Sequence, residues 1–382
     1  MLRNVHELSY VRSMTADSAQ RFCPKTGSER EMVREVDVII AVHDAARPIE
    51  RAVASVLTSA SVHRAIVVCH DLEAVQIRQR LGVLADDVRV TILEFRDGVR
   101  SPAGPFNHGL AHSEAAYVAV MGSDDTVTDG AFDAWVAAAV DSAAHMVIAP
   151  IRLAGGSRVP TPPTQRRRGL QGARDRLAFR AAPLGIISRE RFGTLRFTEG
   201  VPTGEDLAYS THIWFSDAVI VRAEAPAYYV IHDDNVRVTF SRRPVSEDIR
   251  AVGQLLDLEE THALSARDRR ALAVKLWRVN LFGAVHYRAG RWGQGDRVAA
   301  AQLAQRISDF SPESIAVLSR AEGRLRTAIL DSTSPDTRVD ELSQQRRRFL
   351  SVGALVPVRL SALFAHDAPL RFSAATWLAG RS

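Results

Sequence analysis

The sequence predicts an α/β fold: a mostly parallel sheet flanked by helices, followed by an α-helical C-terminal region. Three observations carry this. Apolar runs at residues 36–42, 65–69 and 88–93 are separated by segments of helix length, the alternation that builds βαβ units and a parallel sheet. Residues 117–121 form a continuous apolar run of strand length, as expected of a central strand covered on both faces. From residue 245 onward, arginine- and alanine-rich amphipathic patterns dominate, at 246–257, 265–282, 293–310 and 312–330. The expected division is a flexible leader over 1–34, an α/β domain over 35–244 and a helical domain over 245–382, the last suited to acceptor, oligomer or membrane-surface contacts.

In order, the first strand ends in Val42-His43-Asp44-Ala45-Ala46-Arg47-Pro48, a turn into a helix over 49–59. The second run ends at His70-Asp71. A Gly/Pro-rich loop, 98–105, leads to a helix expected over 107–114 and then to the central strand. A helix over 129–143 and a strand over 146–150 follow, then a Gly/Pro/Thr/Arg-rich loop over 154–172 expected near the site. Residues 183–189 read as a strand feeding a turn, 205–215 as a helix headed by Glu205-Asp206, and 219–230 as one or two strands. Residues 350–365 are apolar but too short to span a bilayer; they suit an interfacial or oligomer-forming helix, or one packed on the helical domain.

The composition is that of an ordinary globular chain, 382 residues with 46% hydrophobic. Two cysteines, Cys23 and Cys69, offer neither a disulfide framework nor metal-ligand spacing, so a reducing, cytoplasmic setting is expected, at most peripheral to a membrane. The net charge of +5 rests on arginine. The triplets at 166–168 and 346–348 can meet phosphates but read first as solvated faces, and no aromatic-basic interleaving points to nucleic acid.

The central strand breaks at Gly122-Ser123 and delivers Asp124 and Asp125 to its carboxyl end, where open α/β sheets bind ligands. Adjacent carboxylates repel each other, and an oxygen-only donor pair suits Mg²⁺ or Mn²⁺ carrying a diphosphate. A solvated acidic turn is the competing reading. Glu205-Asp206 at a helix start reads either as dipole-complementing acids or as a base held near a substrate hydroxyl.

The order of these pieces resembles the inverting family 2 glycosyltransferases of GT-A fold. The resemblance spans about residues 36–240 and rests on Val38-Ile39-Ile40-Ala41-Val42-His43-Asp44, Asn107-His108-Gly109-Leu110, the strand through Asp125, Gly204-Glu205-Asp206-Leu207, and Tyr229-Val230-Ile231-His232-Asp233-Asp234-Asn235. It implies a nucleotide-sugar donor, most simply a UDP-sugar, contacted by Val42, His43, Asp44, Asp71, Asn107, Asp124 and Asp125. It implies a divalent metal at Asp124, Asp125 and His232, Asp206 as the catalytic base with Glu205 beside it, and a glycan or glycolipid acceptor in cell-surface polysaccharide synthesis. Homo-oligomers fit the same picture. Departures are Gly122 in the first Asp place of the metal motif, Cys69-His70-Asp71-Leu72 at the base-reading strand end, and Phe106 where Arg usually precedes Asn. These keep a non-catalytic domain that binds a nucleotide sugar, or acts as a scaffold, as the alternative.

Overall fold

The computed structural model describes residues 35–232, 243–349 and 351–381; the expected leader and Asp233-Asp234-Asn235 lie outside them. Its strands are β1 (Val36–Val42), β2 (Val62–His70), β3 (Val90–Phe95), β4 (Tyr117–Gly122), β5 (Thr126–Val127), β6 (Met146–Ile148), β7 (Ile151–Leu153), β8 (Arg158–Val159), β9 (Gly185–Ser188), β10 (Ile220–Arg222) and β11 (Tyr229–Ile231). Seven form the main sheet in the order β10-β6-β9-β4-β1-β2-β3, and a smaller sheet runs β5-β11-β7-β8. In the main sheet every neighbouring pair is parallel except the two made by β9. The mostly parallel sheet flanked by helices is as the sequence predicts.

β1 is central because it is apolar on both faces. Val38, Ile40 and Val42 pack against α1 (Ile49–Leu57), α2 (Ala74–Leu81) and α4 (Ala131–Ser142), whereas Ile39 points to the opposite face. There it meets α3 (Ala103–Ala111), and Gly109 is what allows the approach: a Cβ on it would sit 2.3 Å from Ile39 Cγ2. The helix expected over 107–114 therefore starts four residues earlier. Pro105 is tolerated in its first turn, where backbone N–H groups have no intrahelical partner.

After the short helix α5 (Arg189–Phe192), α6 (Asp206–Trp214) buries Tyr209, Ile213 and Trp214 on the Ile39 face. Its Leu207 turns instead into a second core shared with the C-terminal helices. Those include α7 (Val245–Asp248), α8 (Arg250–Leu255), α9 (Glu259–His262) and α10 (Ala266–Lys275). One π-helical turn over Leu276–Leu281 joins α10 to α11 (Phe282–Arg288), and α12 (Asp296–Phe310), α13 (Ser314–Val317), α14 (Arg320–Leu330) and α15 (Asp336–Arg346) follow. Patterns that read as single helices at 246–257 and 312–330 are broken into pieces, whereas the one at 265–282 is helical throughout and runs on to Arg288 through the π-helical turn. The helix expected over 350–365 is not formed: Pro357 interrupts it, and the flanking chain pairs with the start of α14, Val358 N–H donating to Leu318 O at 2.7 Å. Among the described residues no helix is long and apolar enough to cross a membrane.

Candidate functional site

The strand order reverses between β1 and β4: the chain proceeds outward to β2 and β3 on one side, then returns to place β4 on the other. Outside the carboxyl ends of the strands, such a switch point opens a crevice. The turns after β1 and β4 meet there. Arg47 Nη1 lies 2.8 Å from Asp124 Oδ2, and Arg51 Nη2 donates to the Asp124 carbonyl at 2.7 Å. Asp125 accepts from the Tyr229 hydroxyl at 2.8 Å and from His232 N–H at 3.2 Å. His232 Nε2 shares a hydrogen bond of 3.0 Å with Thr126 Oγ1. The smaller sheet thus clamps the acidic turn from one side and α1 from the other. Ser123 Oγ, buried in the same turn, has no hydrogen-bond partner among the described residues.

These groups suit a hard divalent cation. Asp124 Oδ1 and Asp125 Oδ2 each lie 3.1 Å from the point a Cβ on Gly122 would occupy, so two carboxylate oxygens converge over that glycine. A second set lies at the carboxyl ends of β2 and β3, where His70, Asp71 and Asp97 bring one ligand atom each within 4.8 Å of one another. Internal bonding already accounts for much of it: His70 Nε2 is 2.7 Å from Asp97 Oδ1, Asp97 accepts from Val99 N–H at 2.9 Å, and Asp71 accepts from Gly98 N–H at 3.3 Å. Phe95 stands beside it, 5.9 Å from the His70 ring and 5.2 Å from that of His108.

The remaining expected donor residues fall as follows. Val42 is the buried last residue of β1, and His43 and Asp44 are exposed in the turn after it. Asp44 accepts from Ala46 N–H at 2.8 Å, holding that turn. Asn107 does not face the turn. Its amide donates to Phe197 O and Glu199 Oε1 and accepts from Phe197 N–H, tying α3 to the 197–199 segment. Thr198 N–H in turn donates to Glu205 O at 2.9 Å, so Asn107 braces the head of α6.

Glu205 and Asp206 stand at that head, in the field of the helix N-terminus. Burial and the Asp206 charge push the Glu205 carboxyl up to about 7, Arg243 opposing. Burial also raises Asp206, and Lys275 opposes it. The sequence reading missed Arg47, Arg51, Tyr229 as a hydroxyl donor, Ser123, Arg243 and Lys275. Arg47 and Tyr229 lay inside the motifs named above; nothing local marked Lys275.

A seven-stranded, mostly parallel sheet with an acidic turn at its switch point and a carboxylate pair heading α6 defines a GT-A-type fold. Residues 37–197 match the glycosyl transferase family 2 model. Among solved structures, Staphylococcus aureus TarS 1-349 in complex with UDP-GlcNAc superposes with TM-score 0.68 at 16% identity, covering 81% of this chain and 92% of that one. The S. aureus TarS 1-349 structure in complex with UDP gives 0.63 at 16%, covering 82% and 92%. A further S. aureus TarS structure gives 0.61 at 16%, covering 80% and 55%. At these identities the likeness is one of fold. No curated protein matches the sequence.

Proposed function

We propose that the protein transfers a sugar, with inversion, from a nucleotide-diphosphate donor to a glycan or glycolipid hydroxyl. A cytoplasmic, at most membrane-peripheral, place in polysaccharide synthesis belongs to the same reading, as does the division into an α/β domain up to residue 244 and a helical domain from 245. The observation that carries it is the convergence of Asp124 and Asp125 at the β1/β4 switch point. The TarS structures with UDP-GlcNAc and UDP support a UDP-sugar as the first donor to try.

In this reading Asp124 and Asp125 hold Mg²⁺ or Mn²⁺, with His232 bracing Asp125 through its backbone N–H. The cation would supply Lewis-acid neutralisation of the departing diphosphate. In the same reading Asp44 and Asp71, near the ends of β1 and β2, contact ribose or base with Val42 and His43 beside them, and Asn107 belongs to the donor side while its amide also braces the α6 head. Asp206 takes the acceptor proton as the hydroxyl oxygen bonds to the anomeric carbon and the carbon–diphosphate bond breaks. Glu205, with its raised pKa, is suited to donate a hydrogen bond to the acceptor near neutral pH.

The Arg47–Asp124 ion pair is what favours the second reading, a non-catalytic nucleotide-sugar binder, because Asp124 already has a counter-charge. A thermal-shift screen against UDP-, GDP-, CDP- and dTDP-sugars, each with Mn²⁺ and with EDTA, tests the donor site. Transfer by the wild type and its loss in Asp206→Asn, with donor binding kept, separates the two readings.

A further inference from the structure

The chain carries two lysines among its 49 basic residues, Lys25 and Lys275. Lys25 lies outside the described residues. Lys275 ends α10 and is 3% exposed, in a protein whose ion pairs among the described residues are built from arginine and histidine. Among the described residues no hydrogen bond or close ion pair holds it. Leu272 and Leu276, on either side of Lys275 along its helix, share a core with Leu207, the residue after Asp206. Both α10 and α6 also pack against the turn over Leu177–Phe179.

We propose that Lys275 is a positioning residue for the transfer reaction, a buried ammonium supplied by the helical region that holds Asp206 ionised and so selects it over Glu205 as the base. This rests on the base assignment made above. Lysine suits that role better than arginine, because an ammonium is a compact charge that needs no planar partner, whereas a guanidinium calls for a fork of acceptors.

The charged groups around it are otherwise occupied. On the near side Glu205 faces Arg243, whose Nη1 donates to Pro202 O at 3.0 Å and whose Nε lies 3.4 Å from Asp248. Asp248 is also 3.3 Å from Arg288 of α11, and Asp296 of α12 accepts from Val245 N–H. The turn over Leu177–Phe179, which also packs on α10, is flanked by Arg176 and Arg180. Arg176 donates to the carbonyls of Pro163 and His366, and Arg180 through Nη2 to those of Ala149 and Leu184, while Arg176 Nε and Arg180 Nε and Nη1 have no hydrogen-bond partner among the described residues. Along the helix itself, Arg270 pairs with Asp367 and Arg278 with Glu322. Asp206 is the charge that reaches Lys275: burial lowers the amine to about 8, and Asp206 opposes that fall.

With two lysines, ¹³C-lysine labelling yields two side-chain signals, and Lys275 is assigned by its loss in Lys275→Met. In the full chain the Lys275 signal is expected to titrate near pH 8. In Asp206→Asn the midpoint is expected to fall, because the carboxylate that favours the ammonium is gone. An unmoved midpoint overturns the proposal, whether or not transfer is observed, so this outcome is distinct from failure of the base assignment. In the transfer assay, Lys275→Met is expected to move the acid limb of the kcat profile up by about one pH unit, which is about a tenfold loss on that limb. Lys275→Arg should keep the limb in place if it folds. A Lys275→Met variant that only melts earlier, with its acid limb unmoved, overturns the proposal as well.

Discussion

The phenol of Tyr229 donates to Asp125 Oδ2 at 2.8 Å while its oxygen accepts Gly122 N–H at 3.2 Å, so one ring of β11 spans both ends of the acidic turn. Burial, then the Asp125 charge, pushes the phenol well above its ordinary pKa, and it stays a donor. Tyr229→Phe removes the hydroxyl that serves both groups, so the Gly122 N–H loses this acceptor and Asp125 loses one of its donors while keeping that from His232 N–H. The expected loss is about 1–3 kcal/mol of unfolding free energy by denaturant titration. Metal-dependent donor affinity should fall with it. Unchanged stability and affinity would show that the turn holds its shape without the ring.

Gly122 takes the first aspartate place of the metal motif that the sequence resembles, and introducing an aspartate there is expected to fail. A Cβ at 122 would lie 3.1 Å from both Asp124 Oδ1 and Asp125 Oδ2, and a third carboxylate would add charge repulsion. Gly122→Asp should lower the melting temperature without raising activity or Mn²⁺ affinity. A gain in either would mean that the turn opens readily enough to accept a third ligand.

The β1 and β4 runs and the Asp124-Asp125 and Glu205-Asp206 pairs were legible because each is a local pattern whose meaning follows from strand or helix position. The Arg47–Asp124 pair was not: its partners are 77 positions apart in sequence, and only the parallel pairing of β1 with β4 brings their turns together. Asn107 illustrates a residue read from a motif whose contacts lie elsewhere, since its amide is consumed by residues 197 and 199. In the helical region periodicity found the helices but ran across their ends, because the breaks at Ile249 and Leu318 carry no proline or glycine to announce them. Lys275 was invisible for a further reason: Asp206, whose charge reaches it, lies in a different part of the chain.

Arg47 holds Asp124 Oδ2 in an ion pair at 2.8 Å, where it would compete with a cation bound by that carboxylate. Arg47→Gln should therefore bind Mn²⁺ several-fold more tightly in the absence of nucleotide, measured by calorimetry, because a competing cation has been removed. If affinity is the same in both proteins, Asp124 is not a ligand and the cation is to be sought at His70, Asp71 and Asp97.

Glu205 makes stability depend on pH in a defined direction. Its carboxyl is raised from 4.5 to about 7, by burial first and by Asp206 second. The folded protein therefore keeps this proton to a higher pH than the unfolded chain does. The contribution is complete below about pH 4.5 and is lost as pH rises through about 7. Between those limits the wild type should lose stability on the order of 1–3 kcal/mol from this group, at about 1.4 kcal/mol per pKa unit. Glu205→Gln removes the titrating proton while keeping the shape. Its unfolding free energy should match the wild type near pH 4.5 and exceed it at pH 8. Parallel curves for the two proteins across that window would place the Glu205 carboxylate in water rather than in the half-buried head of α6.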